Sequence, residues 1–324
     1  MLSEEIMRQL RPVTPEEQKI LDGTKEIDRD IYMDKETGDV IHSRKLLDNG
    51  KQIDVRLHTR FAAFPPHTHD YVELVYMCSG STVNYVNGER IPLAQGDILL
   101  IGKGATHAAD AAGMDDIAVN IIIVPEFLNS TMRMIGTDNT PIHEFMLDFL
   151  QDEQNTSPYL YFHVADVKPV QNCVENLIYS LLGSASNKRK VNRTTLALLF
   201  LNLISNTDRL VNKNSDNSAM IYTLRYIENH YVDGTLNELA EQLNYDASWL
   251  SREIKSWSGG KTFVELIQQR RLAQAVFYLE NTDMKIDDIG HTIGYENLSY
   301  FYRLFKNTYG ESPRVYRKNR KPQD

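Results

Sequence analysis

The 324 residues include only two cysteines and two tryptophans. Cys78 and Cys173 lie far apart without a CxxC spacing, so a disulfide framework is not expected and a reduced, cytoplasmic setting is. Long apolar runs are also missing. The most apolar stretch, LALLFLNLI from Leu196 to Ile204, is short for a bilayer crossing and is interrupted by Asn202, so no membrane partner is expected. The opening residues MLSEEIMRQLRPVTPEEQ are acidic and polar, unlike a signal peptide. Positive charge is scarce as well: the formal net charge is −9. Such a chain binds DNA poorly by charge alone, so nucleic-acid contacts would have to come from local basic surfaces. From Ala219 onward 14 Lys and Arg balance 14 Asp and Glu, and the excess acid lies upstream. Arg314, Arg317, Lys318, Arg320 and Lys321 form one basic cluster. With 42% hydrophobic and 24% charged residues, the chain has the composition of a soluble globular protein of two or three domains.

What is present is organised around Ile286 to Arg317, IDDIGHTIGYENLSYFYRLFKNTYGESPRVYR. Ile286, Ile289 and Ile293 recur at helical spacing, Gly294 closes that helix, and Asn297 opens a second with Phe301 and Phe305 inward. The pattern occurs once before. Leu236, Leu239, Ala240, Leu243 and Tyr245 match Ile286, Ile289, Gly290, Ile293 and Tyr295 at an offset of 50. Leu250, Arg252, Ile254, Lys255 and Gly259 then match Phe301, Arg303, Phe305, Lys306 and Gly310 at an offset of 51. Between the copies, Thr262 to Leu279 reads as one helix with an apolar stripe from Phe263 to Leu279. About 18 to 20 residues at 1.5 Å each span roughly 27 to 30 Å. Two exposed helices held that far apart suit successive major-groove segments, whose repeat is about 34 Å.

Here the chain resembles the AraC/XylS family of transcription regulators, from about Ala219 to Arg317. The resemblance is carried by LNELAEQL, WLSREIKSWSG, RRLAQAVFYL and IGYENLSYFYRLFKNTYGESPRVYR. It implies double-stranded DNA and RNA polymerase as partners, a homodimer, and no required cofactor or enzymatic activity. In the first module Ser248, Trp249, Ser251, Arg252 and Lys255 are the expected DNA contacts, with Leu250, Ile254 and Trp257 inward. In the second they are Asn297, Ser299, Tyr300, Tyr302, Arg303 and Lys306. Arg252 and Arg303 can each pair with guanine through two hydrogen bonds; a core role for Trp249 and a capping role for Asn297 are the alternatives. Gly290, where the first copy has Ala240, and Lys285, where a Ser or Thr cap is usual, mark the second module's first helix as the weaker one.

Upstream, residues from Leu2 to about Asp22 read as weak helix broken by Pro12 and Pro15. From Val40 to Val124 short alternating runs, with an Asn87-Gly88 hairpin signal, indicate an antiparallel barrel or sandwich. Beyond Pro125 the period turns helical in PIHEFMLDFLQ, VKPVQNCVENLIYSLLG and RTTLALLFLNLI, while YLYFHV from Tyr159 returns to the sheet. The helical segment reads as packed on the barrel, as a dimer interface, or both. Asn212 to Ser218, NKNSDNS, reads as a linker. The expected fold class is α+β: extension 1–38, cupin-like barrel 39–165, dimerisation helices 166–211, linker 212–218, and an all-α DNA-binding domain 219–324 with helix-turn-helix motifs near 235–257 and 285–308.

In HTHDYVELVYMCSG the residues His67, His69 and Glu73 share one parity, read as one extended strand, and His107 follows after a hairpin. Imidazole and carboxylate in this order suit a divalent iron, manganese, nickel or zinc ion. The spacing resembles the cupin family from roughly Phe64 to Ala108, although Gly102 replaces a usual Pro and the customary Asn after the last His is absent. The metal is nevertheless the alternative, and a pocket without one is the expectation: His67, His69, Tyr71, Glu73, Tyr85 and His107 would bind a sugar or similar polar effector. The rival class is a metal-dependent cupin enzyme with an accessory DNA-binding domain, and a regulator without a ligand is a third reading.

Overall fold

The structure is a computed structural model describing residues 2–24, 26–33, 38–48, 50–135, 159–183, 187–211 and 215–320. PIHEFMLDFLQ, residues 212–214 of the expected linker and Lys321 lie outside these. The chain divides near residue 212 into two compact units.

The first unit is built from ten strands: β1 Val40–Ile41, β2 Ile53–Leu57, β3 Phe64–His69, β4 Val72–Ser79, β5 Ser81–Val86, β6 Glu89–Ala94, β7 Ile98–Ile101, β8 His107–Ala109, β9 Ile117–Ile123 and β10 Tyr159–Phe162. They form two five-stranded sheets, ordered β1-β3-β8-β5-β6 and β10-β7-β4-β9-β2. Asn87 and Gly88 both take positive φ, 48° and 84°, the conformation that a two-residue I′ turn between β5 and β6 requires. YLYFHV does return to the sheet, pairing antiparallel with β7. Val75, Met77, Val86, Leu93, Leu99, Ile101 and Tyr161 from both sheets meet in one core.

Short helices α1 Glu4–Leu10, α2 Pro15–Lys19, α3 Arg29–Tyr32 and α4 Ser43–Leu46 precede or interrupt the first strands. Pro15 begins α2 rather than breaking a helix, because it occupies the first turn behind a Thr14–Glu17 capping box, where a missing N–H costs nothing. Arg60 joins this segment to the barrel. Its guanidinium donates to both Glu17 carboxylate oxygens and to the carbonyls of Arg11, Pro12 and Met114, and both charges are about 1% exposed.

Helices α5 Pro125–Ile135, α6 Lys168–Leu182 and α7 Lys188–Ser205 follow. α7 starts at Lys188, ahead of Arg193 where its apolar pattern begins. Gln171 fastens α6 to the barrel, accepting from Tyr76 and donating to the carbonyls of Gly96 and Val164. Tyr179, Leu182, Val191, Leu198 and Leu201 remain exposed on α6 and α7.

The second unit contains α8 Ser215–His230, α9 Leu236–Leu243, α10 Ala247–Trp257, α11 Phe263–Asn281, α12 Ile286–Thr292, α13 Leu298–Tyr309 and α14 Pro313–Arg320. Ser215–Ser218, expected in the linker, belong to α8. Two cores divide the unit. Ile227, Leu239, Leu250, Ile254, Phe263, Leu266 and Ile267 make the first; Leu272, Ala275, Leu279, Ile289, Ile293, Phe301, Phe305 and Tyr316 make the second. α11 serves both, which is the physical content of the repeat. Thr235 caps α9 with a full capping box, whereas Lys285 gives α12 no side-chain cap. Gly290 has a packing cause: a Cβ there would lie 2.6 Å from Leu298 Cδ2 and 3.2 Å from Phe301 Cδ1, so a larger residue would have to displace these side chains at the α12–α13 contact.

Candidate effector cavity and nucleic-acid interface

His67, His69 and Glu73 do not share one strand. β3 ends at His69 in one sheet and β4 begins at Val72 in the other, so parity along the chain does not explain their meeting. Facing sheets bring them together. His67 is the cross-strand partner of His107, while Glu73 pairs with Ile101 and Ile122 in the opposite sheet.

One potential ligand atom from each of His69, Glu73 and His107 lies within 4.8 Å of the others. His69 Nε2, Glu73 Oε2 and His107 Nε2 are buried and have no hydrogen-bond partner among the described residues. His69 Nδ1 is 2.6 Å from the Tyr71 carbonyl. This contact makes Nδ1 the protonated nitrogen and leaves the Nε2 lone pair facing inward, the arrangement that orients a metal-ligating histidine. Tyr71 also stacks on the His69 ring, centroids 4.4 Å apart. His67 is outside the triad; its Nδ1 is 2.9 Å from the Pro65 carbonyl.

Burial controls the charges. It pushes His69 down to about 3 and His67 down to about 4, and holds His107 well below the usual imidazole range. It raises the Glu73 carboxyl to about 7, against the Asn120 hydrogen bond that favours the anion. Glu73 Oε2 and His107 Nε2 are 3.4 Å apart, but a neutral imidazole does not make that approach an ion pair. Three lone-pair donors face one another, and this donor set fits a divalent metal.

The adjoining cavity is small, about 40 Å³, room for one to three waters and far below the roughly 300 Å³ and more of a drug-sized ligand site. Tyr32, Arg56, His58, Asn84 and Asn120 contribute to its wall; sequence reading missed all five. The signal for two of them was present. Asn120 is the lone polar residue in IAVNIII, and Asn84 shares parity with the inward Val86. Asn84 Nδ2 is buried and has no partner among the described residues. Tyr85, expected in the site, falls on the opposite face of β5, where its hydroxyl donates to Asp110.

In the second unit the two candidate reading helices are α10 and α13. Ser248, Arg252 and Lys255 are exposed on α10, and Ser251 is half-buried. Trp249 is half-buried and packs on Tyr245, ring centroids 4.4 Å apart. Leu250 and Ile254 are buried as expected; Trp257 is half-buried against the same core. On α13, Asn297, Ser299, Arg303 and Lys306 are exposed. Asn297 is also the cap, accepting from the Tyr300 amide. The hydroxyls of Tyr300 and Tyr302 are already engaged: Tyr300 accepts from Gln268 at 2.8 Å and Tyr302 donates to Asp287 at 2.9 Å. Both rings pack against the second core.

Two members of the C-terminal basic cluster are engaged internally. Arg317 donates to the carbonyls of Leu279 and Met284, and Arg320 pairs with Glu311 and covers the Tyr316 ring. Arg314 and Lys318 are exposed.

Residues 55–204 match the family of AraC-like ligand binding domains, and residues 239–319 match a helix-turn-helix domain family. The HTH-type transcriptional activator RhaS of Mannheimia succiniciproducens is 26% identical over 262 residues, covering 78% of this chain and 89% of that protein. An uncharacterised HTH-type regulator of Bacillus subtilis, YdeC, is 23% identical over 264 residues, covering 78% and 86%. Among solved structures, ToxT of Vibrio cholerae aligns with a TM-score of 0.33 at 17% identity, over 82% of this chain and 97% of that one.

Proposed function

Because the chain belongs to the AraC family of helix-turn-helix transcription regulators, a ligand-binding domain followed by a DNA-binding one, we propose that α10 and α13 read two DNA segments and that the barrel cavity takes a divalent metal ion. The observation that carries the DNA part is the repeated module. Each copy presents one arginine and one lysine to solvent on its second helix, Arg252 with Lys255 and Arg303 with Lys306, while the inward side chains of that helix fill a core. Arg252 and Arg303 are the proposed base readers. Ser248, Ser251, Lys255, Asn297, Ser299 and Lys306 assist, and Trp249, Tyr300 and Tyr302 chiefly set the helices' positions. Selecting duplexes from a random pool with the full chain tests this; failure to enrich any sequence would refute it.

His69, Glu73 and His107 would hold the ion, with His67 beside them. A bound ion would supply the positive charge that keeps Glu73 ionised in the interior. A sugar-sized effector, the other ligand considered, requires the cavity to open by several-fold, and the small volume favours the ion. Titrating chelator-treated protein with zinc, manganese and nickel, followed by metal analysis, decides between them. The relatives named above are regulators, which favours a regulator over an enzyme.

The exposed apolar side chains of α6 and α7, among them Tyr179 at 54% and Leu198 at 51% exposure, support a homodimer through these helices. RNA polymerase as a partner and the cytoplasm as the setting are part of this proposal, supported by the likeness to transcription regulators. Among the described residues no helix is long and apolar enough to cross a membrane.

A further inference from the structure

The junction between the two modules is built around Arg271 of α11. Its Nε donates to the Tyr231 carbonyl and its Nη2 to the Val232 carbonyl, each at 2.6 Å. These are the carbonyls that follow α8, a helix of the first module. The opposite side of the same guanidinium serves the second module, where its Cζ lies 5.1 Å from the Tyr295 ring centroid. Next to Tyr295, Gly294 has φ +91°, and a Cβ there would fall 2.5 Å from the Val232 oxygen and 3.0 Å from Arg271 Cζ and Nη2. The end of α8, the arginine and the turn of the second module are therefore stacked in direct contact. On the neighbouring position, Arg270 Nε donates to Glu228 of α8 at 2.6 Å, which ties the first module to the same turn of α11.

Among the described residues the two cores share the helix α11 and the side chain of Tyr231, which packs against both. α11, which runs through both cores, sets the distance between the modules, and each module's own apolar side chains leave its rotation about that helix to be fixed by contacts at the junction. A planar fork with two donors aimed at successive carbonyls restrains direction as well as distance, which a lysine ammonium does not. We propose that Arg271, seated against Gly294, is the positioning residue that fixes the offset between α10 and α13, and so sets the number of base pairs between the two DNA segments the protein accepts. This rests on the two-module DNA reading above. One inserted base pair moves the second segment by about 3.4 Å and turns it by roughly 35°, so a rigid junction rejects it and a loosened one tolerates it.

The test uses the full-length chain. Duplexes selected from a random pool by the unaltered protein define two enriched segments and the gap between them, and affinity is then measured on that duplex and on versions with one base pair inserted or removed from the gap. The unaltered protein should lose about tenfold or more on the altered gaps, the equivalent of one base contact. Arg271→Lys keeps the charge but not the fork, and Gly294→Ala pushes the turn away from Val232; both should bring the penalty down to about threefold or less. A fraction of misfolded protein lowers affinity for all duplexes alike and cancels in that ratio, so the ratio reports positioning rather than stability. Variants that fold, by thermal unfolding, and keep the full gap penalty would overturn the proposal. Absence of any two-segment duplex for the unaltered protein would overturn the DNA reading and this inference with it, and so separates the two failures.

Discussion

His67 and His107 are direct partners across the β3–β8 pair, with ring centroids 3.9 Å apart, yet only His107 belongs to the triad with His69 and Glu73. The distinction is measurable. Adding zinc, manganese or nickel at about 100 times its dissociation constant should raise stability by about 2.7 kcal/mol. His69→Ala, Glu73→Gln and His107→Ala should each abolish that gain, whereas His67→Ala should retain most of it. Calorimetric unfolding with metal analysis checks this, and equal losses in all four variants would place His67 among the ligands.

The buried imidazoles make the barrel sensitive to acid. In the unfolded chain each titrates near 6.5, while folding lowers His58, His67, His69 and His107. Their contribution to stability is complete above pH 6.5 and is lost as the pH falls toward the folded values, about 4 for His67 and about 3 for His69. Glu73 acts oppositely, because its folded value near 7 lies above the ordinary 4.5; its contribution is complete below 4.5 and disappears as the pH rises to 7. Four groups outweigh one, so metal-free protein should lose about 1.4 kcal/mol per pH unit for each net proton between pH 6.5 and 5. Urea unfolding at stepped pH measures the slope. Glu73→Gln should stabilise the metal-free barrel at pH 8, where the native carboxylate is charged and buried.

Replacing Arg252 or Arg303 with Ala should cost about 1 to 3 kcal/mol on a selected duplex and relax preference in one segment only. Uniform loss on random DNA would identify a phosphate contact instead. Arg314→Ala and Lys318→Ala should weaken binding to all sequences and flatten its salt dependence. Arg317→Ala should act mainly on stability, since its guanidinium holds the Leu279 and Met284 carbonyls.

Glu17→Gln leaves Arg60 charged and buried without its counter-ion, and should destabilise the first unit by about 3 to 5 kcal/mol. A joint Glu17→Gln, Arg60→Met replacement should recover part of that. The urea midpoints of the single and double variants provide the comparison.

Leu198→Glu and Leu201→Glu place charge on the exposed face of α7. Sedimentation should show a dimer for the unaltered chain and a monomer for either variant, without a large change in melting temperature. A monomer in both forms would rule out this face as the interface.

The repeat, the order of barrel before helices, and the inward and outward faces of α10 and α13 were legible in the sequence, because helical period and hydrophobic spacing are local properties. Gly290 looked like a weakness in the chain and proved to be a close approach of α12 to α13, since only packing shows what a Cβ would meet. Local pattern also grouped His69 and Glu73, but by the wrong route: a single strand with His67 was expected, and a change of sheet after His69 delivers the convergence with His107, leaving His67 beside it. Tertiary structure alone decided that Tyr85 points away, that Arg317 and Arg320 are occupied, that Asn120 supports Glu73, and that the cavity is closer in size to an ion than to a sugar. Each of these depends on which distant strand or helix end lies within about 3 Å, the range at which hydrogen bonds and desolvation act. A linear spacing does not encode that distance.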